Sequence, residues 1–337
     1  MKTWVVLAAP DQAESVRRAL RASGLLRRGM RVTRSDDAVA FPVLSPPVPP
    51  LKGVRLEERE LPNESARPHS YRELVRLEPG HQSLLPRSFD VVGDVVLIRL
   101  PAELEPYAGE IGSALLRFVP GARRVGWDRG VHGEARLRSL TPIAGAGPWR
   151  TRHRENGLEF VVDPEAAYFS PRLAGEHGRI SAAVRPTDTV WDLCCGVGPF
   201  ALTIARRRSA QRIVAVDSNP AAIALLEENA RRLNVSDRIE VRNQPLEAFL
   251  PSAGTTDRAI LNLPHEGIKY LPSVSGAVAP GGTIHYYEVT RRADHSMRGI
   301  ALVTQLTHPS QWTVAEVRLV HPYSPQADLV AYTFRRE

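Results

Sequence analysis

The sequence predicts an α/β protein: a doubly wound, Rossmann-like parallel sheet ending in an antiparallel hairpin, with smaller α/β units ahead of it. Three observations carry that expectation. Residues 191–200 read WDLCCGVGPF, an apolar strand that ends in Asp192 and runs into a loop with Gly196 and Gly198. Residues 214–220 read VAVDSNP, a second strand ending in Asp217, 25 residues after Asp192. Strand-like runs then alternate with helical ones such as 220–233, until two apolar stretches, 312–320 and 328–334, meet across residues 321–327. Alternation of this kind builds a sheet with helices on both faces. Glycines after the first strand and an acid ending the second form the layout of a nucleoside-binding sheet.

The remaining elements follow in order. Residues 3–8 (TWVVLA) read as a strand, 11–24 as a helix opened by Pro-Asp, and 30–43 as one or two further strands. This gives a small basic α/β domain over 1–45. Residues 45–50 (SPPVPP) are proline-rich, with little helix or sheet potential because proline lacks a backbone donor. With the charged run 52–64 they read as a linker over 46–68. A middle α+β domain is expected over 69–154. It has a hairpin in 89–100 turning at Gly93-Asp94, a helix over 102–118 and strands at 123–127 and 135–140. The domain with the glycine loop spans 155–337, and no internal repeat is visible.

The chain has 337 residues, 43% of them hydrophobic, enough for two or three cored domains. No apolar run is long enough to span a bilayer, and no basic start precedes an apolar signal core. A cytoplasmic, monomeric protein is the expectation. The only cysteines, Cys194 and Cys195, are adjacent. Neighbours rarely pair and two thiols make no zinc site, so they are expected to pack under the loop, and no metal is expected. Net charge is +7. Residues 1–35 hold Lys2, Arg17, Arg18, Arg21, Arg27, Arg28, Arg31 and Arg34 against Asp11 and Glu14. Such a local basic surface suits a polyanion, because phosphate contacts supply affinity without sequence information; a generic arginine-rich composition is the plainer reading.

The loop by itself does not choose a cofactor. G-V-G-P-F-A also fits the dinucleotide pattern, and a plain strand–helix turn would use the same glycines. Three features favour S-adenosylmethionine (AdoMet) over a nicotinamide. Asp192 lies four residues before Gly196, which resembles the placement in methyltransferases of an acid facing the methionine end. Asn262-Leu263-Pro264 follows the strand-like run 258–261 and points to a planar nitrogen as acceptor. The terminal hairpin resembles that of class I methyltransferases. The candidate cofactor contacts are Asp192, Cys194, Gly196, Gly198 and Phe200 in the first loop. Asp217 and Ser218 follow the second strand, with Asp217 able to accept both ribose hydroxyls. Asn243, Gln244 and Asn262 complete the set.

Nine segments, taken in order, resemble the archaeal and eukaryotic tRNA (guanine-N1)-methyltransferases that act on the guanosine immediately 3′ of the anticodon, wyosine-pathway relatives included. They are FDVVGDVVLI (89–98), HGEARLR (132–138), ENG (155–157), YFSPRLAGEH (168–177), DLCCGVGPF (192–200), DSNP (217–220), ENARRLN (228–234), NLP (262–264) and HYYEV (285–289). The basic N-terminal module resembles that family's small tRNA-recognition domain only weakly. The resemblance implies AdoMet as cofactor and tRNA as partner. It carries catalytic roles to Arg136, Arg172, Glu176, Asn262 and Pro264: general-base action, orientation of the guanine and closure of the site.

The chemistry asks for the same residue types. Guanine N1 is a poor nucleophile until it loses its proton, which a carboxylate such as Glu176 can take. Charge then grows on O6, where a guanidinium such as Arg136 would stabilise it. Asn262 could hold the base edge and Pro264 stiffen the turn. An unstacked base needs an aromatic face, for which Tyr168, Phe169, Tyr286 and Tyr287 are candidates. Plainer readings exist: Arg136 as a solvated or phosphate-contacting residue, Glu176 as a helix-start acid, one of the two strand tyrosines as core, and His265 as a loop residue. Two departures from the family stand out. His177 occupies the position of a usual arginine, and the acid usual after the third strand is missing from VRNQP (241–245). Competing functions are aminocarboxypropyl transfer, a bifunctional enzyme on the same nucleotide, exocyclic amino methylation (disfavoured by N-L-P-H), a tRNA-binding protein with an inactive domain, and a nicotinamide oxidoreductase.

Overall fold

A computed structural model describes residues 2–27, 30, 32–35, 37–48, 50–51, 53–60, 68–133, 137–207 and 210–337. The chain forms two compact units, Met1–Glu73 and Leu74–Glu337.

The first unit is an antiparallel sheet of β1 (Lys2–Ala8), β2 (Thr33–Arg34), β3 (Val39–Val43) and β4 (Val54–Glu60), in the order β2-β3-β1-β4. Helix α1 (Ala13–Ala22) buries Val16 and Leu20, one turn apart, against Val6, Phe41 and Val43. Strand β4 corrects the expectation that the charged run after Pro50 is only a connection. It pairs along the whole of β1, from Lys2↔Glu60 to Ala8↔Val54. Its apolar alternation is weak because it is an edge strand with most side chains in water. What recruits it is the row of open backbone groups on β1, and its charges keep the outer edge from pairing further.

The second unit opens with α2 (Pro79–Leu84) and the hairpin of β5 (Asp90–Val92) and β6 (Val95–Ile98), turning at Gly93-Asp94 as expected. Helix α3 (Ala108–Phe118) crosses over to β7 (Arg124–His132), which lies parallel to β6, and β8 (Leu137–Gly145) completes the sheet β5-β6-β7-β8. The helix expected over 102–118 is divided: residues Ala102–Tyr107 form a 3-10 turn containing Pro106, which lacks the N–H that a continuous α-helix needs. Strands β9 (Thr151–Glu155) and β10 (Leu158–Val162) pair as a separate ribbon.

The rest alternates as anticipated: α4 (Ala174–Ala183), β11 (Thr189–Leu193), α5 (Pro199–Arg207), β12 (Arg212–Asp217), α6 (Pro220–Arg232), β13 (Ile239–Asn243), α7 (Leu246–Phe249), β14 (Thr256–Leu261), α8 (Leu271–Ala277), β15 (Val278–Arg291), α9 (His295–Val303), β16 (Trp312–Pro322) and β17 (Ala327–Arg336). The sheet order is β13-β12-β11-β14-β15-β17-β16. The first five strands are parallel, and β17 enters antiparallel between β15 and β16. This is the class I methyltransferase sheet. Its two faces are both covered, so alternate residues enter different cores: Val190, Ile213, Ala215 and Tyr287 on one side, Trp191, Val214, Val216 and Tyr286 on the other. Tyr286 and Tyr287 are therefore both buried. Strand order reverses between β11 and β14, which opens a crevice at their carboxyl ends. Among the described residues, no helix is long and apolar enough to cross a membrane.

Candidate active site

The loop after β11 folds back on β12. Cys195 N–H donates to the Val216 carbonyl at 2.9 Å, and Gly196 N–H donates to Asp217 Oδ2 at 2.7 Å. Cys194, Gly196 and Gly198 all take positive φ, at 61°, 55° and 79°. A Cβ on Gly198 would collide with Leu226 Cδ1 of α6. Glycine is required there both for the backbone conformation and for the close approach. Both cysteines are free, and burial pushes their thiols up, with the Asp192 and Asp217 carboxylates adding to it. They are packing residues rather than nucleophiles.

Asp192 is buried at the end of β11 and does not line the cavity below. Its Oδ2 accepts the Ala201 N–H at 3.0 Å, tying the strand to α5, and its Oδ1 has no partner among the described residues. Burial, partly offset by that hydrogen bond, raises its carboxyl to about 7. Asp217 is also raised by burial, although the N–H groups of Asn219 and Gly196 hold its charged form. Together with the Ser218 N–H, these groups use part of its acceptor capacity of about four sites.

A cavity of ≈470 Å³ occupies the crevice, within the usual range for small-molecule sites. Of the sequence-derived candidates it brings together Cys194, Gly196, Phe200, Asp217, Ser218, Gln244, Asn262, Pro264 and Arg172. Gly198 and Asn243 stand off its wall, and Asn243 Nδ2 donates to the Asp217 carbonyl at 3.0 Å. Arg136 lies outside the described residues. Tyr168 and Phe169 line the cavity, whereas Tyr286 and Tyr287 do not.

Glu176 is also absent from the wall. It is buried on α4, where Arg179 donates to both its oxygens, Arg318 of β16 reaches Oε1 at 3.0 Å, and the Tyr287 hydroxyl donates to Oε2 at 3.0 Å. The adjacent His177 lines the cavity instead. Its Nδ1 lies 2.6 Å from Glu155 Oε1 and its ring stands edge-on to Phe200 at 4.5 Å.

Matches to known proteins follow the same layout. Residues 151–315 match the TRM5/TYW2 methyltransferase domain, and residues 71–148 match the TYW2 N-terminal domain. The tRNA (guanine(37)-N(1))-methyltransferase Trm5b of Pyrococcus abyssi is 33% identical, over 99% of each chain. The chain belongs to the TRM5/TYW2 family. The crystal structure of that Trm5b superposes with a TM-score of 0.75 at 32% identity over 99% of each chain. A complex of aTrm5 with tRNALeu superposes at 0.70, 28% identical over 99% of each chain. A tRNA(Phe) (4-demethylwyosine(37)-C(7)) aminocarboxypropyltransferase of Pyrococcus horikoshii is 29% identical over 60% of this chain and 72% of its own.

Several features of the cavity escaped the sequence reading. Arg138 is buried on the wall, ion-paired with Asp128, 3.7 Å from Asp90, and 5.5 Å from the centre of the Tyr168 ring. Its place in the segment HGEARLR, two residues after Arg136, was the available signal. Arg172 shares Asp90, donating from Nε at 2.7 Å. Glu247, three residues beyond Gln244, puts an acid on the wall next to the segment that lacks the usual one. The Tyr270 hydroxyl donates to it and holds its carboxyl below the usual range. His265 and Tyr323 meet at the wall, with the tyrosine hydroxyl 3.2 Å from His265 Nε2. Tyr323 comes from the turn between β16 and β17, 58 residues away in sequence.

Proposed function

We propose that the chain transfers a methyl group from AdoMet to N1 of the guanosine immediately 3′ of a tRNA anticodon. The observation that carries this is the junction, in one cavity, of the glycine loop and Asp217 with Asn262, Pro264 and Arg172. Its occurrence in a chain collinear over 99% of its length with a tRNA (guanine(37)-N(1))-methyltransferase adds to it.

The residues fit AdoMet. Gly196 brings the backbone to the wall, Asp217 keeps acceptor capacity for ribose hydroxyls, and Gln244 and Glu247 offer acceptors further along. Asp192 Oδ1, a buried acceptor without a donor, suits the neighbourhood of an ammonium group. When bound, AdoMet supplies an electrophilic methyl carbon.

The chain's own residues prepare the guanine. The Asn262 amide holds the base edge at the end of β14, and the Pro264 ring limits the turn that shapes that side. Arg136 and the buried Arg138 favour charge at O6 as N1 gives up its proton. Glu176 takes that proton, for which its carboxylate has to leave Arg179 and Arg318. Tyr168, exposed on the wall, offers its face to the unstacked base. A tRNA substrate is in keeping with the cytoplasm.

The match of residues 71–148 to the TYW2 N-terminal domain favours aminocarboxypropyl transfer as the second reading. Two transcripts, with guanosine or adenosine 3′ of the anticodon, are incubated with AdoMet labelled in the methyl or the carboxyl group. Methyl label confined to the guanosine transcript and recovered as N1-methylguanosine is the expected result. Carboxyl label in the RNA would replace it with the second reading.

A further inference from the structure

Outside the cavity, strand β9 carries a stripe of arginines that the chemistry above does not use. Its burial alternates: Thr151 and Glu155 are buried, while Arg152 and Arg154 face solvent. Arg150, just before the strand, continues the same row. Alternate residues on a strand stand roughly 7 Å apart. The three side chains therefore leave the backbone in a row, and two of them, Arg152 and Arg154, reach the same carboxylate, Glu159. They border an open groove of ≈700 Å³ together with Val91, Gly93 and Pro148.

The charge balance of the groove favours an anion. Glu159 serves three arginines at once: Arg154 at 3.0 Å, Arg232 at 3.2 Å and Arg152 at 3.7 Å. Arg150 pairs with Glu228. Four guanidinium groups thus share two carboxylates. Arg123 also borders the groove, but Asp94 and the carbonyls of Ala146, Pro148 and Arg150 occupy it. The side chains of Arg152 and Arg154 are 65% and 83% exposed, so their ion pairs contribute little and most of their donors face water. Glu159 already fills the point on which Arg152, Arg154 and Arg232 converge, so a further anion meets only their outward donors. A line of outward guanidinium groups matches a repeating chain of phosphates.

The groove is also close to the cavity. His153 borders the groove, and its ring packs edge-on at 5.1 Å against Phe169, which lines the cavity. We propose that Arg150, Arg152 and Arg154, with Arg232, bind the sugar-phosphate backbone of the tRNA outside the cavity that takes its target base. This rests on the tRNA reading given above.

The test measures tRNA affinity at several salt concentrations for the wild type, Arg152→Glu/Arg154→Glu and Arg152→Lys/Arg154→Lys. AdoMet affinity and turnover at saturating tRNA are measured alongside. The glutamate variant is expected to bind tRNA at least about tenfold more weakly. The slope of log affinity against log salt should shrink by roughly 0.7–0.9 for each lost phosphate contact. AdoMet affinity and saturated turnover should stay unchanged, and the lysine variant should keep most of the slope. Wild-type affinity and slope in a glutamate variant that still binds AdoMet would overturn the surface and leave the methyl-transfer reading standing. A wild type that neither binds nor labels the guanosine transcript would overturn that reading, and this surface with it.

Discussion

Gly198 is held at φ 79° with no room for a Cβ beside Leu226. Gly198→Ala is expected to cost about 1–2 kcal/mol from the left-handed backbone and about 1–3 kcal/mol from overpacking, read as a lower urea midpoint at unchanged slope. A midpoint within error of the wild type would remove the steric account of this loop. Asp192 offers a different test. Its carboxyl, raised to about 7 by burial, is protonated in the free protein at lower pH. Under the proposed function, an AdoMet ammonium that reached its unpartnered oxygen would favour the charged form, and binding would expel that proton. AdoMet affinity should therefore weaken as pH falls below about 7, by up to tenfold per pH unit. In Asp192→Asn the affinity should be lower and the slope gone. Calorimetry from pH 5.5 to 8 checks this, and a pH slope surviving in the variant would assign it to another group.

At the scale of elements, Glu176 joins α4 to β16 through Arg318 and to β15 through Tyr287, and its α4 neighbour Arg179 donates both to it and to Glu316 of β16 at 2.8 Å. Glu176→Ala strands these donors. Its cost should approach but not reach the roughly 3–5 kcal/mol of a broken buried pair, because Arg318 is half exposed. Glu176→Gln keeps the volume and part of the hydrogen bonding, and so separates the two duties of this residue. Turnover collapsing in Glu176→Gln, with AdoMet affinity and unfolding midpoint near wild type, is the outcome expected of a base. Turnover that tracks stability through both variants would make the residue a structural tie between α4 and β16.

At the scale of the whole molecule, the N-terminal unit is one sheet that includes β4, so a cut after residue 45 would leave β4 without β1. A chain lacking residues 1–60 removes the sheet entire. It is expected to retain AdoMet affinity and to bind tRNA at least about tenfold more weakly, since phosphate contacts from a basic surface supply affinity. Unchanged KM for tRNA would take recognition away from that unit.

Local chemistry made much of this protein legible in one dimension. The strand–loop–strand from Trp191 to Asp217, the N-L-P turn, the hairpin at Gly93-Asp94 and the terminal pair of strands each depend on side-chain period and on residues with special backbone preferences, which neighbouring positions reveal. They fix the order of the sheet and one wall of the cavity. What sequence could not reveal depends on groups far apart along the chain. The edge strand β4 is recruited by the backbone of β1, not by apolar side chains of its own. The partners that hold Glu176 off the wall include Arg318, and Tyr323 reaches His265 from a distant turn. The arginine row on β9 becomes a surface only once Glu159 and Arg232 are folded beside it. Charge pairing and exposure are properties of distance in space, and the tertiary structure alone sets those distances.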